Sequence, residues 1–205
     1  MERITADSIK MPVSAAKWIR TLTVPPVMAV ILSTVLYIAL GTKAFASWVH
    51  YFEAVFTLGI LPTLAYPLCR LIPVFKKKGR KFERNLAIIF AVAGYISGTL
   101  LICLTGGTQI SIMLFFTYLI SGLITALLSF VFKFKASGHT CGVSGPIAVI
   151  VYCFGPVYLL LYVLLVPIFV SSLKLERHTL TQLIAGCLVP IAALAASIII
   201  SAAIV

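Results

Sequence analysis

The sequence predicts an all-α polytopic membrane protein, a bundle of about six to seven transmembrane helices. The chain of 205 residues is 61% hydrophobic, and its mean hydropathy is +1.15. A water-soluble domain of this size needs a charged surface, yet only 10% of these residues are charged. Apolar runs of about 20 residues, the length that crosses a bilayer as a helix, recur from Pro25 onwards. Such helices also satisfy their own backbone hydrogen bonds within lipid.

Residues 1–22 form a polar to amphipathic segment, and residues 23–205 are predicted to form a single transmembrane domain. The segment has no early apolar core, so it is not expected to be a cleavable signal. Its Lys17, Trp18 and Arg20 are typical of a short helix that lies at the membrane interface.

Turn residues divide the apolar part of the chain into seven predicted helices. TGGTQ at 105–109 and FGP at 154–156 are two of these breaks. The predicted helices span 25–41, 48–72, 85–104, 110–132, 139–154, 157–171 and 179–203.

The distribution of basic residues predicts which end of the bundle is cytoplasmic. If all seven helices cross, the N-terminus and the loops 73–84, 133–138 and 172–178 share one side. Of the 16 Lys and Arg residues, only Lys43 lies on the opposite side. The positive-inside rule therefore predicts a cytoplasmic location for the charged end. A phosphate site would gather the same charges on either side, so this alternative stays open.

Two histidines are predicted to meet at the charged end. His139 and His178 are separated by two apolar runs of about 15 residues, each rising about 23 Å as a helix. Such a hairpin returns both histidines to one membrane level. Each lies at the start of a helix, where free N–H groups favour an anion, with Lys135 or Arg177 close by. This grouping favours an anion site over two unrelated interfacial histidines.

A basic segment, KKKGRKFERN at 76–85, is a third candidate element. Lys77, Arg80, Lys81 and Arg84 have the spacing of one helical stripe. The alternative is a juxtamembrane loop that only sets topology or contacts anionic lipid. The five cysteines show no metal-ligand spacing, so they are interpreted as small buried residues and no metal site is expected.

Three short motifs occur in order between about residues 77 and 186: KKGRKFER (77–84), KASGH (135–139) and SSLKLERHTLTQ (171–182). They resemble the K-x6-R-P, P-S-G-H and S-R-x5-H-x3-D elements of the type 2 phosphatidic acid phosphatase superfamily. The chain is similar in more detail to a bacterial and archaeal branch with E-R, K-x-S-x-H-x-x-G and H-T-x-x-Q-x-x-A-G elements. The corresponding residues here are Glu83-Arg84, Lys135 to Gly142 and His178 to Gly186.

The resemblance implies hydrolysis through a phosphohistidine intermediate, with neither metal nor cofactor. His178 would attack phosphorus, and Gln182 would orient its imidazole. His139 would protonate the leaving group. The implied phosphate-binding residues are Lys77, Arg84, Lys135, Ser137 and the N–H of Gly138, with Arg80, Lys174 and Arg177 as further cations.

Asn85 and Ala136 stand where the elements of that superfamily have a proline, and two further departures affect the chemistry. Ser172 stands where an arginine is expected, six residues before His178, and Lys174 and Arg177 are the candidates to replace it. A lysine point charge does not reproduce the fork of an arginine. Gln182 replaces an aspartate, although its carbonyl can still accept a hydrogen bond from Nδ1–H. The H-T-x-x-Q branch shares this second departure.

The predicted function is an integral-membrane lipid phosphatase, in the cell membrane, that acts on a lipid phosphate or a prenyl (di)phosphate. Its expected partners are that substrate and membrane lipids, with no nucleic acid. Ser172 motivates one alternative, a degenerate phosphatase fold that binds or carries anionic lipids without hydrolysis. A lipid phosphotransferase, which passes the phosphoryl group to an alcohol or a second lipid, is the other. The sequence leaves the identity of the lipid and the oligomeric state open.

Overall fold

The computed structural model describes residues 10–205, except for the side chains of residues 80 and 81. The first nine residues of the predicted N-terminal segment and the side chain of the candidate ligand Arg80 therefore lie outside the described part. Eight principal helices run through the described chain: α1 Val13–Leu22, α2 Pro25–Leu40, α3 Trp48–Leu71, α4 Gly79–Leu104, α5 Gln109–Phe130, α6 Gly138–Phe154, α7 Pro156–Lys174 and α8 Leu180–Ile204.

The predicted fold class is confirmed. By length and composition, six of these helices can cross a membrane, namely α2, α3, α4, α5, α7 and α8. Helix α6 is apolar but shorter, with 17 residues. Large apolar side chains such as Leu160 and Ile199 lie exposed on the outside of the bundle. Water would penalise that surface, whereas lipid does not, so the protein is an integral-membrane protein.

Helix α6 lies at the centre of the packing. It contacts α2, α7 and α8, while α8 also packs along α5 and α4 lies between α3 and α5. Residues 142–149 of α6 are all buried, and small residues among them allow the close approach of neighbouring helices. A Cβ on Gly142 would lie 2.7 Å from the Cα of Pro25, where α2 begins. This contact fixes the α1–α2 junction beside the first turn of α6.

Side-chain caps define where α6 and α8 begin. Ser137 caps α6 by accepting a hydrogen bond from the N–H of Thr140. Thr179 and Gln182 form a capping box at the start of α8. These caps end the loops at fixed points, so His139 lies in the first turn of α6 and His178 directly precedes the cap of α8.

The predicted helix boundaries fail at the basic segment. Helix α4 begins at Gly79 and not at residue 85, after a single helical turn at Pro73–Lys76. Gly79 has φ +71°, a conformation that separates this turn from α4. Lys77 lies in the turn, exposed, so the predicted single helical stripe from Lys77 to Arg84 is wrong at its first member.

Candidate functional site

A cavity of about 640 Å³ opens at the charged end of the bundle and continues between the helices. Its lining includes residues of α1, α4, the α5–α6 loop, the first turn of α6 and the α7–α8 turn, segments that are far apart in the sequence. Six sequence-predicted site residues line it: Arg84, Lys135, Gly138, His139, Arg177 and His178. The fold therefore brings together both histidines and the cations that accompany them.

The hydrogen bonds of His178 assign its tautomer. Its Nδ1 lies 3.2 Å from the carbonyl oxygen of Lys135 and 3.2 Å from Oε1 of Gln182. Both partners are acceptors, because Oε1 of Gln182 also accepts the N–H of Thr179. Nδ1 of His178 therefore carries the hydrogen, and Nε2 carries the lone pair that a nucleophile needs. This contact with Gln182 is the one that the resemblance implies.

The turn before His178 is held by a Schellman motif at the end of α7. The N–H of Arg177 donates to the carbonyl of Ser172, and the N–H of Glu176 donates to that of Leu173. Glu176 has φ +51°, in the left-handed region that a non-glycine residue seldom adopts. This reversal directs the chain back to the cavity at Arg177 and His178.

His139 is held at both ring nitrogens by Arg20 of α1. Its Nε2 lies 3.0 Å from the carbonyl oxygen of Arg20, and its Nδ1 lies 3.2 Å from Nη2 of the same residue. A guanidinium can only donate, so Nδ1 accepts and Nε2–H donates to the carbonyl. In this arrangement His139 is a neutral imidazole that α1 holds in place.

The loop before α6 rests directly on α8. The N–H of Ser137 donates to the carbonyl of Gln182 over 3.0 Å. A Cβ on Gly186 would lie 2.5 Å from the carbonyl oxygen of Ser137, so only glycine permits this approach. The contact sets the distance between the segment of His139 and the helix that follows His178.

The charges around the cavity are overwhelmingly positive. Burial lowers the pKa of Lys135, and the cations Arg84, Arg177 and Arg20 lower it further. Burial also lowers the pKa of Arg20, with Arg177 as the second cause. None of the three carboxylates in the described chain, at positions 53, 83 and 176, lines the cavity. Such a site favours an anion, which would relieve the mutual repulsion.

Some predicted phosphate-binding residues do not line the cavity. Lys77 is exposed in the turn before α4, and Lys174 lies in the last turn of α7. Ser137 is fully buried, and its hydroxyl accepts from both the N–H and the Oγ1 of Thr140. The structure gives Ser137 a capping role, whereas the backbone of Gly138 does face the cavity.

Arg20 also lines the cavity, although its sequence position beside Trp18 indicates only an interfacial residue. Its Nη1 donates to Oγ of the fully buried Ser172 over 2.7 Å. Ser172 is the position at which the motif comparison expects an arginine. The serine at position 172 indicates that another residue supplies the positive charge. The sequence near position 172 does not indicate that this residue is Arg20.

Away from the charged end, the cavity becomes largely apolar. Ala87, Ala91 and Val92 of α4 and Gly122 of α5 line this part. Tyr118 and Ser121 add two buried hydroxyls without a hydrogen-bond partner in the described chain. The cavity thus joins a cationic mouth to an interior suited to a mainly apolar chain.

Comparison with known proteins supplies no relative: no family model matches the chain, and no curated protein or solved structure does so either.

Proposed function

We propose that this protein is an integral-membrane lipid phosphatase that hydrolyses a lipid phosphate or a prenyl (di)phosphate through a phosphohistidine. The observation that carries the proposal is His178, whose Nδ1–H is bonded to Gln182 and Lys135 at a cavity rich in cations. A neutral, oriented imidazole beside cations is what nucleophilic attack on a phosphoryl group requires.

The proposed reaction has two displacements. Nε2 of His178 attacks phosphorus, and the bond between phosphorus and the leaving oxygen breaks, which leaves an alkoxide or phosphate that takes up one proton. Water then gives a proton to His139 and attacks the phosphohistidine, the P–N bond breaks, and inorganic phosphate leaves while the imidazole of His178 is regenerated. Arg84, Lys135 and Arg177 balance the phosphoryl charge in both steps.

His139 is the proposed proton donor to the leaving oxygen. Its present hydrogen bonds to Arg20 occupy both ring nitrogens. Since the neutral ring has only its Nε2–H, catalysis requires that the approach of the substrate displaces Arg20 from Nδ1 and that Nδ1 takes up a proton from water, which His139 then donates to the leaving oxygen. A phosphoryl oxygen competes well for a guanidinium, since hydrogen bonds between charged groups are about twice as strong as neutral ones.

The shape of the cavity supports a lipid substrate. Its cationic mouth suits a phosphate head group, and its apolar interior, lined in part by α4 and α5, suits the attached chain. The lipid would enter sideways between helices. That the charged end faces the cytoplasm remains a prediction from the distribution of Lys and Arg.

The test is phosphate release by detergent-purified protein without added metal. The panel comprises phosphatidic acid, phosphatidylglycerophosphate, and polyprenyl mono- and diphosphates. Release from one class supports the proposal and names the lipid, whereas no release from any member overturns it. Transfer of label to an added alcohol instead of water would identify a phosphotransferase.

One observation favours a second function, binding of an anionic lipid without hydrolysis. Both ring nitrogens of His139 are engaged by Arg20, so the proposed acid is not free in this arrangement. A binding protein would retain lipid phosphate with the same affinity after His178→Ala and would show no turnover before it.

Filling the interior of the cavity should discriminate between substrates by chain length. Ala91→Phe places a ring where we expect two or three methylenes of the lipid, each worth about 0.8 kcal/mol. The KM for dioleoyl phosphatidic acid should rise about 15- to 60-fold, while that for the dihexanoyl lipid changes little. Ala192→Phe, at an exposed position of α8, is the control. Equal effects on both lipids would contradict this assignment of the cavity.

The pH dependence should reflect the lowered pKa of His178. Burial is the main cause, and the charge of Lys135 is the next, with a smaller contribution from Arg20; together they lower this pKa from 6.5 to about 4 although the bond to Gln182 opposes them. The acid limb of kcat/KM should therefore lie near pH 4, and Lys135→Met should move it to higher pH. Lys133→Met, at an exposed neighbour, should not.

The same shift has a consequence for stability. The unfolded chain binds a proton at His178 below about pH 6.5, whereas the folded protein resists protonation until about pH 4. Stability from this group is thus present above pH 6.5 and falls as the pH decreases towards 4. An acid limb of the kcat/KM profile near pH 6.5 in the wild type, and not near pH 4, would contradict the assignment of His178 as a buried nucleophile.

A further inference from the structure

Helix α1 contributes to the cavity a guanidinium whose donors are only partly used. Nη1 of Arg20 donates to Ser172, and Nη2 donates to His139. An arginine side chain carries five N–H donors, so these two bonds leave donors for a further acceptor. Arg20 lines the cavity together with Lys17 and Thr21 of the same helix.

The electrostatic surroundings of Arg20 lack a counter-charge. Burial and the neighbouring Arg177 both lower its pKa, and the cavity lining contains no carboxylate among the described residues. A partly buried guanidinium without a paired anion is costly unless a ligand supplies the missing charge. The geometry of its fork matches a phosphoryl group, to which it can donate two parallel hydrogen bonds.

Ser172 provides the room that this arrangement needs. It is fully buried in the last turns of α7. Its small side chain leaves space for the guanidinium of Arg20, and its hydroxyl accepts a hydrogen bond from that group. An arginine at position 172 would place its own charge here, and the two guanidinium groups would repel each other. The charge beside Ser172 comes from Arg20 of α1, 152 positions earlier in the chain.

We propose that Arg20 of α1 is a phosphate-binding residue of this site. Its guanidinium lies beside Ser172, where the motif comparison expects an arginine. The inference rests on the proposed phosphatase function for its kinetic consequences, but binding of the anion can be tested alone. When a phosphoryl group enters, the guanidinium exchanges its bond to His139 for bonds to phosphoryl oxygens. That exchange frees Nδ1 of His139 at the moment when substrate is present.

The test removes the arginine at position 20 and then introduces one at position 172. Arg20→Gln keeps a polar but shorter side chain and removes the charge, and should lower kcat/KM about 10- to 100-fold while the protein still folds. Arg20→Lys should recover little of this loss, because it lacks the fork. The double variant Arg20→Gln with Ser172→Arg should regain most of the activity, which a merely structural role of Arg20 would not allow.

Binding of inorganic phosphate separates this inference from the proposed function. Calorimetry should show about 10- to 100-fold weaker phosphate binding in Arg20→Gln and recovery in the double variant. Arg70→Gln, an exposed arginine of α3 outside the cavity lining, should bind as the wild type does. A protein that binds phosphate in this pattern without turnover would overturn the phosphatase proposal but support the role of Arg20. Unchanged phosphate binding and turnover in Arg20→Gln would overturn that role.

Discussion

His178→Ala should reduce phosphate release by about three orders of magnitude or more, while lipid phosphate still binds. The reason is that the variant removes the atom on which the phosphoryl group is carried, so no alternative first step with a similar barrier remains. Binding should persist, since Arg84, Lys135 and Arg177 are unchanged at the mouth of the cavity. The measurement is a single-turnover assay with labelled substrate, followed by detection of acid-labile, base-stable protein phosphate.

The control for this variant lies in the same turn of α8. Thr181 is exposed and does not line the cavity, so Thr181→Ala should retain wild-type turnover and labelling. The turnover of Gln182→Ala should lie between those of Thr181→Ala and His178→Ala. The variant removes one acceptor for Nδ1–H of His178 but leaves the carbonyl of Lys135 in place. Labelled protein in His178→Ala would refute the assignment of His178 as the nucleophile, because another residue would then carry the phosphoryl group.

The membrane fold could be predicted from the sequence because each span is a long apolar run bounded by turn residues. All seven predicted helices occur as α2 to α8, with most ends within one or two residues of the prediction. The larger errors have local causes. Helix α7 runs on to Lys174 through polar residues that hydropathy ignores, and α4 starts early because Gly79 begins a helix within a charged segment.

The candidate site could be predicted only in part. His139, His178, Lys135 and Arg177 lie within a few residues of helix starts, so short-range patterns place them correctly at one end of the bundle. Arg20 depends on how α1 packs against α7 and on the contact of Gly142 with Pro25, neither of which any local pattern encodes. Ser137 illustrates the opposite error, since a motif position suited to phosphate is occupied by a helix cap.

Gly186→Ala should disrupt the site from a distance, lowering both stability and phosphate release. The added Cβ would lie 2.5 Å from the carbonyl oxygen of Ser137 and 3.1 Å from its nitrogen, and both are backbone atoms that no rotamer change can move away. Overpacking of this kind costs about 1–3 kcal/mol. The loop of Ser137 must therefore move off α8, which also weakens the hydrogen bond from its N–H to Gln182.

Because His139 follows Ser137 by two residues and His178 precedes Gln182 by four, that movement changes the distance between the two proposed catalytic groups. We expect a lower melting temperature together with a loss of kcat larger than the loss of phosphate affinity, since Arg84 and Arg177, two of the three cations of the mouth, lie outside this loop. Ala192→Val adds two methyl groups at an exposed position of the same helix and should change neither quantity. A Gly186→Ala protein with wild-type stability and kcat would contradict the close contact between Gly186 and the carbonyl oxygen of Ser137.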